Sequence, residues 1–442
     1  MRPLFLSRYG TVFRDPHRPG RSLVFSTLTG SLVRLPTELV EELRAGSASP
    51  TDEETAVLRE AGVVVEDPGA ELVRAREYLQ EVNRASTVLV AAVVVGMGCN
   101  FACPYCYEGP EKGTSAMDPA TLRAVAAYLL SQVDVLGRER LVVDFYGGEP
   151  LMYGSRLLSL SEFLSEACSR RGVVFEITLV TNGSLLTPDV VEPLVSVGLK
   201  GVKVTVDGPP DVHDRFRPYR DGSGSFHHIV QNLKGCVPLV PVGLSVNITP
   251  DTWTRVPDLL DRLASEGLGP GQIAQVTFGP VIGDRRGGCA GCVSASEPWL
   301  ARAVAALHQE ARRRGFAVPD IIPSPCMADL DHAITVNWDG SLTRCPALVN
   351  RTEFVVGTVS DGVTTSVDPF RVPRWEHRGE CLGCEYLPLC FGGCRYMALL
   401  RTGDMAEVDC QRTFWEVVLE ARVLEDARAA SAGPSLRGTT TP

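Results

Sequence analysis

Residues 99–106 read Cys-Asn-Phe-Ala-Cys-Pro-Tyr-Cys and follow closely on the apolar run Val93-Val94-Val95. The C-x3-C-x2-C spacing places three thiols on one short loop. Three thiolates can ligate three irons of a [4Fe–4S] cluster and leave the fourth iron without a protein ligand. Closed structural metal sites fill every coordination position, whereas an open position is typical of a site that does chemistry. The stretch therefore predicts a reactive iron–sulfur centre, and the alternative interpretation is a structural zinc loop.

This loop resembles the signature of the radical S-adenosylmethionine (SAM) enzymes. Cys99, Cys103 and Cys106 stand in the cysteine positions, and Tyr105 is the aromatic residue before the last cysteine. The resemblance implies that the amino and carboxylate groups of SAM bind the open iron. It also implies that one electron from the reduced cluster cleaves SAM to methionine and a 5′-deoxyadenosyl radical, which removes hydrogen from an unactivated carbon.

Composition sets limits on the partners and on the use of the cysteines. The formal net charge of −10 argues against non-specific nucleic-acid binding. No apolar run approaches the ~20 residues that span a bilayer, and no secretory signal is evident, so we expect a cytoplasmic protein with no membrane or nucleic-acid partner. In that compartment the 14 cysteines favour metal ligation over disulfides. Cys168 and Cys236, each alone near the end of an apolar stretch, are expected to be buried core thiols.

A second candidate motif follows the next predicted strand, which ends in Gly147-Gly148-Glu149. Glycine lets the backbone approach a ligand closely. In radical SAM enzymes this glycine–glycine–glutamate stretch binds the amino group of SAM. Glu149 could accept a hydrogen bond from that ammonium.

Later strand ends supply further candidates by the same resemblance. Thr205 occupies a serine position of the family, where a hydroxyl can bind the ribose or the carboxylate of SAM. Arg217 is a candidate for the carboxylate, and Asn247 is a candidate for the ribose. We expect Asp207 to stabilise a turn instead of binding SAM.

The C-terminal region carries a second array of cysteines with the spacing C-x13-G-x4-C, then C-x2-C-x5-C-x3-C, then a last cysteine. The array resembles the seven-cysteine SPASM extension of peptide-modifying radical SAM enzymes. The resemblance implies two auxiliary [4Fe–4S] clusters and hence three clusters in all. The implied ligands are Cys381, Cys384, Cys390 and Cys410 for one cluster, and Cys326, Cys345 and Cys394 for the other.

The three-cysteine set is one ligand short of a closed site. Either Cys289 or Cys292 supplies the fourth ligand, or the iron stays open and could bind a substrate thiolate; we favour the open site slightly. Sulfatase-maturating members of this group carry an aspartate base directly after the cysteine that matches Cys345. Here that residue is Pro346, which argues against sulfatase maturation.

The sequence pattern predicts an α/β protein with a partial (β/α)6 radical SAM barrel, open on one side, whose site lies at the C-terminal strand ends. Its strands are predicted at Leu89–Val95, Leu141–Tyr146, Val173–Val180, Gly201–Val206, Gly243–Ile248 and Ile273–Phe278. The predicted boundaries are 1–70 for a winged-helix-like module, 71–89 for a linking helix, 90–300 for the barrel, 301–319 for a bridging helix, 320–427 for the SPASM domain and 428–442 for a disordered tail.

Residues 1–70 resemble in topology the precursor-peptide recognition elements of enzymes that modify ribosomally made peptides. Such a module binds a leader peptide by adding it as a strand to a sheet edge, and the alternative is a folding or dimerisation appendage. We therefore predict an enzyme that binds a precursor peptide through its leader and takes electrons from a donor such as flavodoxin or ferredoxin.

The predicted reaction is an intramolecular cross-link, with a thioether favoured over a carbon–carbon or carbon–oxygen link. The alternatives are epimerisation, excision, and oxidation of a protein side chain or a small molecule without cross-linking. A more remote alternative is a zinc-stabilised binding scaffold without catalysis. The sequence identifies no catalytic acid or base.

Overall fold

The computed structural model describes residues 3–109, 113–283, 294–364 and 368–432, without the side chains of Leu72, Ser431 and Ala432. The N-terminal module contains a three-stranded antiparallel sheet in the order β2-β3-β4 and a separate pair of short strands, β1 and β5. Its elements are β1 (Phe5–Leu6), β2 (Gly10–Arg14), β3 (Arg21–Ser26), β4 (Leu32–Pro36), α1 (Thr37–Ala45), α2 (Asp52–Glu60), β5 (Val64–Val65) and α3 (Glu71–Ala85). Helix α3 lies within the linking helix predicted for 71–89.

The module packs against the rest of the protein through the middle strand of its sheet. Val24 of β3 faces Val40 and Leu43 of α1 in a small separate core. Leu23 and Phe25, on the opposite face of β3, belong to the main core of the chain. The alternation of β3 therefore buries both faces of this small sheet.

The barrel region follows the predicted alternation, and all six predicted strands are present within two residues at each end. Its elements are β6 (Val88–Val94), α4 (Pro119–Leu136), β7 (Arg140–Tyr146), α5 (Gly154–Ser169), β8 (Val174–Thr181), α6 (Pro188–Ser196), β9 (Leu199–Thr205), α7 (Pro210–Phe216), α8 (Phe226–Cys236), β10 (Val242–Ile248), α9 (Val256–Ser265), β11 (Ile273–Pro280) and α10 (Pro298–Arg313). The six strands pair in parallel, each with its neighbour in chain order.

Local sequence signals explain these elements. Asp118 accepts a hydrogen bond from the backbone N–H of Thr121 over 2.7 Å, which caps α4, and Pro119 fits the first helical position. Strands β7 and β10 bury every second residue; in β7 these are Leu141, Val143 and Phe145. Because side chains alternate across a strand, the intervening residues of β7 face the interior of the barrel. Cys168 and Cys236 are fully buried, as predicted.

The C-terminal region contains more regular structure than the sequence pattern indicates. Its elements are β12 (Ala333–Val336), β13 (Ser341–Thr343), β14 (Gly357–Thr358), β15 (Gly362–Val363), α11 (Gly379–Leu382), α12 (Leu387–Cys390), α13 (Arg395–Thr402) and α14 (Arg412–Ala432). Strand β12 pairs in parallel with β6, and the strands form one sheet of ten in the order β11-β10-β9-β8-β7-β6-β12-β13-β14-β15. All four residues of β12 are buried, so the strand shows no alternation.

Two predicted boundaries need correction. Helix α10 begins at Pro298, before the predicted bridging helix of 301–319, because Pro298 supplies a helix start. The predicted disordered tail of 428–442 is wrong for its first residues, since α14 continues to Ala432 and packs with α10 through buried residues such as Val418 and Leu419. Residues 433–442 lie outside the described part of the chain. In that described part, no helix is long and apolar enough to cross a membrane.

Candidate active site

A cavity of about 410 Å³ opens at the C-terminal ends of the barrel strands. Its volume falls in the range of small-molecule sites. Nine of the ten predicted residues of the SAM site line it, from five separate segments of the chain. They are Cys99, Cys103, Tyr105, Cys106, Gly147, Gly148, Thr205, Arg217 and Asn247.

The cysteine loop is held by neighbouring strand ends on both sides. Asn182, which follows β8, donates its side-chain N–H to the Asn100 side-chain oxygen over 2.8 Å. Arg220 donates to the carbonyl oxygen of Cys99 over 2.7 Å, and Ala102 N–H donates to the carbonyl of Pro218 over 2.9 Å. These bonds fix the loop backbone without using the thiols.

The two glycines of the predicted motif are required by backbone packing. A Cβ at position 148 would lie 2.3 Å from the carbonyl oxygen of Gly98 and 2.4 Å from that of Met97. Gly147 has φ +112°, a conformation that favours glycine. The sequence suggests that these glycines let a ligand come close to the backbone. The structure shows that they also let the backbone at the start of the cysteine loop come close.

Glu149 lies apart from the other predicted residues, beneath the cavity. Its fully buried carboxylate accepts hydrogen bonds from Thr181 Oγ1 over 2.6 Å, Asn182 N–H over 2.7 Å and Leu151 N–H over 3.1 Å. Burial raises the pKa of Glu149. This carboxylate joins the ends of β7 and β8, and its direct bond to SAM remains a prediction.

A buried polar cluster forms one wall of the cavity. Tyr105 Oη donates to the Asp207 carboxylate and accepts from Arg217 Nη1 over 2.7 Å. Asp207 also accepts from the Asn247 backbone N–H over 2.9 Å, so it ties the end of β9 to β10, in keeping with the structural role expected of it. Burial raises the pKa of both Tyr105 and Asp207.

The guanidinium side chain of Arg217 lines this cavity. Burial alone would lower its pKa, but the neighbouring Tyr105 and Asp207 outweigh that effect, and the pKa of Arg217 is raised. Its Nε atom is buried and has no hydrogen-bond partner among the described residues. A buried unpaired donor of a guanidinium calls for an acceptor. A ligand carboxylate such as that of SAM fits this requirement, and the three thiols alongside fit a [4Fe–4S] cluster.

Two of the C-terminal cysteines each have other members of their predicted set close enough to affect their pKa. Burial raises the pKa of Cys345 to about 12, and Cys326 and Cys394 act on it in the same direction because they are close. In the second group, burial raises the pKa of Cys390 to about 12, and Cys384, Cys381 and Cys410 add to that rise. A bound metal ion would displace the proton from such a thiol, because the thiolate is the ligand. Ligation of iron by either group remains a prediction.

Two further predicted ligands cannot be placed, because Cys289 and Cys292 lie outside the described residues. Within the described ranges, no three Cys, His, Asp or Glu side chains are close enough to hold a single metal ion.

The sequence reasoning missed a set of polar residues inside the barrel. Asp144 and Tyr146 of β7 line the cavity together with Lys203 and Ser245. Thr178 Oγ1 donates to Asp144 over 2.9 Å, and burial raises the pKa of that carboxyl. Alternation along the strands could have identified them, since these residues alternate with the buried positions of the same strands.

Tyr146 relates the cavity to the three-cysteine group. Burial raises its pKa to about 12, and Cys345 acts in the same direction from nearby. Tyr146 also packs beside Val94, Met97 and Val349. One side of the cavity therefore carries the cysteine loop, and another side is close to Cys345.

Comparison with known proteins agrees with this architecture. Residues 93–263 match the model of the radical SAM superfamily. The chain is 30% identical to a probable GTP 3′,8-cyclase of Methanopyrus kandleri, over 63% of this chain and 90% of that protein. It is 27% identical to a PqqA peptide cyclase of Ruegeria pomeroyi, over 71% of this chain and 85% of that protein.

Two solved structures share the fold. SuiB of Streptococcus suis bound to the precursor peptide SuiA matches with a TM-score of 0.53 and 14% identity, covering 93% of this chain and 99% of that one. Native anSMEcpe with bound AdoMet and the Cp18Cys peptide matches with a TM-score of 0.60 and 17% identity, covering 77% and 99%.

A barrel with an iron–sulfur loop at its strand ends is the architecture of an enzyme that activates SAM. The chain belongs to the radical SAM superfamily, and it is of the SPASM type that its seven C-terminal cysteines indicate. SAM and an iron–sulfur cluster are accordingly its cofactors.

Proposed function

We propose that this enzyme matures a ribosomally made precursor peptide by forming an intramolecular cross-link, with a thioether favoured. The observation that carries the proposal is a cavity that has Cys99, Cys103 and Cys106 on one side and Tyr146 on another, where Tyr146 packs beside Val349, four residues after Cys345. A peptide in this cavity would meet both the SAM site and the three-cysteine group. The similarity to a PqqA peptide cyclase and to SuiB bound to a precursor peptide supports a peptide substrate.

In this proposal the chain's own residues divide the work. The three loop cysteines hold the SAM-binding cluster, and the polar wall orients SAM through Thr205, Arg217 and Asn247. The seven C-terminal cysteines hold two auxiliary clusters. When bound, SAM and the clusters supply the radical that removes a hydrogen atom and an acceptor for the remaining electron.

Closing a thioether removes two hydrogens from the peptide. One leaves the carbon as a hydrogen atom and ends in 5′-deoxyadenosine. The other leaves the thiol as a proton, with one electron passing out of the peptide. We propose Asp144 as the acceptor of that proton, because it lines the cavity and is held by Thr178.

The test of this function is the peptide mass. A candidate precursor, translated from any short open reading frame found beside the enzyme's gene, is incubated anaerobically with the enzyme, SAM and dithionite. We expect release of 5′-deoxyadenosine, a loss of two hydrogens from the peptide and the loss of one alkylatable thiol. The Cys99→Ala/Cys103→Ala/Cys106→Ala variant should give none of these, and its iron content should fall from about twelve to about eight per chain. Nucleoside release with unchanged peptide mass would contradict cross-linking.

We also propose that the N-terminal module binds the leader at a sheet edge. Asp15 N–H donates to Arg21 O over 3.2 Å, and Thr27 N–H donates to Tyr9 O over 2.8 Å. Because hydrogen-bonded pairs alternate along an antiparallel ladder, the backbone N–H of Val12 in β2 points away from β3. The corresponding bonds between β3 and the residues around β4 leave the backbone N–H of Leu32 pointing away from β3. An added strand would pair with one of these two edges.

Proline at an outward position removes the edge N–H and leaves the ladder to β3 intact. We expect either Val12→Pro or Leu32→Pro to weaken binding of the leader peptide by about tenfold or more, which is ~1.4 kcal/mol. Val12→Ala and Leu32→Ala keep the N–H and serve as matched controls. Leader binding by fluorescence anisotropy measures the effect, and wild-type affinity in both proline variants would exclude these edges.

The electron donor remains a proposal as well. Cys410 is exposed, so the four-cysteine group extends to the surface, where a carrier such as flavodoxin or ferredoxin could approach. Both carriers are consistent with a cytoplasmic location.

A further inference from the structure

The backbone between Cys390 and Cys394 is hydrogen-bonded to one buried arginine. Arg374 Nη1 donates to the carbonyl oxygens of Gly392 over 3.2 Å and Gly393 over 3.0 Å, and Nη2 donates to that of Phe391 over 2.9 Å. The side chain of Arg374 is 1% exposed. Three consecutive carbonyls thus converge on one guanidinium.

This convergence requires an unusual backbone. Phe391, Gly392 and Gly393 have φ values of 42°, 82° and 76°, all in the left-handed region. A non-glycine residue such as Phe391 is strained there, and such strain persists only where the surroundings hold it. A Cβ at position 393 would lie 1.9 Å from the carbonyl oxygen of Asp409, so only glycine fits. Arg374 therefore helps to hold the segment that joins the two cysteine groups.

Arg374 belongs to a buried ionic network. Its Nη2 also donates to Asp329 Oδ2 over 3.0 Å, and Asp329 accepts two further bonds from Arg395 over 2.9 and 2.7 Å. Asp409 is the other buried carboxylate nearby, and it accepts a bond from Ser294 Oγ over 2.6 Å. Four N–H groups of Arg374 are thereby used.

The fifth N–H of Arg374 is left over. Its Nε is buried without a hydrogen-bond partner in the described part of the chain. An unmet donor on a buried guanidinium is costly and calls for an explanation. The guanidinium is held next to two of the predicted ligands. It binds the carbonyl of Gly393, directly before Cys394, and it binds Asp329, whose backbone N–H donates to the carbonyl of Cys326 over 2.8 Å. Among the described residues no acceptor fills the Nε position, and the backbone at Cys326 and Cys394 lies beside the network.

We propose that Arg374 donates its Nε–H to a sulfur of the auxiliary cluster held by Cys326, Cys345 and Cys394, and thereby raises the reduction potential of that cluster. Hydrogen bonds to sulfur and nearby positive charge both stabilise the more negative, reduced state. A higher potential makes the cluster a better acceptor for the electron that leaves the peptide. The inference rests on the auxiliary clusters of the proposed function, but not on the bond that the enzyme forms.

Conservative variants separate the hydrogen bond from the charge. Arg374→Lys keeps a cation that can reach the loop carbonyls but has no Nε–H. Arg374→Gln also removes the charge. We expect Arg374→Lys to make reduction of this cluster less favourable by about tenfold, or about 59 mV for a one-electron couple, and Arg374→Gln to have a larger effect. The matched control is Arg395→Lys, because Arg395 is similarly buried on Asp329 but has no orphan donor.

The measurement is a potentiometric titration followed by EPR. It uses full-length chains that carry Cys99→Ala, Cys103→Ala and Cys106→Ala, so that only auxiliary clusters contribute. The four-cysteine cluster provides an internal reference that should not shift. Arg374 variants with about eight irons and a wild-type potential would show that Arg374 serves packing alone and would overturn the proposal.

A second measurement needs no variant at position 374 and covers the case in which those variants fold poorly. In the wild-type chain labelled with ¹⁵N-arginine, pulsed EPR of the reduced auxiliary clusters should show coupling to one arginine nitrogen. Absence of that coupling would refute the hydrogen bond. If the coupling and the potential shift are found but the peptide is not modified, the proposed function fails and this inference stands.

Discussion

Replacing Asp144 by asparagine is expected to lower the yield of cross-linked peptide by about 10²–10⁴-fold, the usual contribution of a positioned general base. Release of 5′-deoxyadenosine should fall far less. The reason is that Asp144 lines the cavity from the barrel interior with Lys203 and Ser245, and it belongs neither to the cysteine loop nor to the predicted SAM contacts. Loss of its carboxylate leaves SAM cleavage in place but removes the acceptor of the second proton. The ratio of nucleoside to cross-linked peptide, measured by mass spectrometry, should therefore rise.

The pH dependence provides a second readout of the same residue. Burial raises the pKa of Asp144 above the value of an ordinary aspartate. A general base must be ionised, so the rate of cross-linking should fall as the pH drops through this raised pKa and level off above it. The Asp144→Asn variant should lose that acidic limb.

The matched control is Asp134→Asn, which makes the same chemical change on an exposed residue of α4 that pairs with Arg171. It should leave both products unchanged. A contrary outcome for Asp144→Asn is an equal loss of nucleoside and cross-link, which would assign Asp144 to SAM binding or to folding. Unchanged cross-linking would remove Asp144 from the mechanism.

The position of Asp144 also shows where sequence reasoning stops. The six barrel strands were predictable because their apolar runs alternate with helices that begin at signals such as Asp118-Pro119. The membership of the two C-terminal cysteine groups was expected from the resemblance to the SPASM extension, and their ligation of iron stays a prediction. The chemistry of Asp144 was not, because one carboxylate on a strand has no motif until the fold shows which face lines a cavity.

Other features depend on contacts between distant parts of the chain. Strand β12 pairs with β6 across more than two hundred residues, and nothing in the sequence of either strand predicts that pairing. The bonds of Arg374 to the 391–393 carbonyls likewise depend on backbone conformation. Glu149 was predicted to face SAM by resemblance, but its three protein donors could be seen only in the folded chain.

The Gly148→Ala substitution is expected to weaken SAM binding about tenfold without changing a side chain that contacts SAM. The added Cβ would lie 2.3 Å from the carbonyl oxygen of Gly98, the residue directly before Cys99. Backbone carbonyls cannot rotate aside as a side chain can, so the cysteine loop must shift. Overpacking of this kind costs about 1–3 kcal/mol. If about 1.4 kcal/mol of this cost falls on the SAM-bound form alone, the affinity for SAM falls tenfold.

The control is Gly154→Ala, only six positions further along the chain. No atom lies within 4 Å of the Cβ that it would add, and its φ of −51° is helical. Alanine there should stabilise the start of α5 by about 0.5–1 kcal/mol and leave SAM binding unchanged. Equilibrium dialysis with labelled SAM and iron analysis compare the two variants. If Gly148→Ala retained wild-type affinity and about twelve irons, the glycine would not be what sets the distance between the two loops.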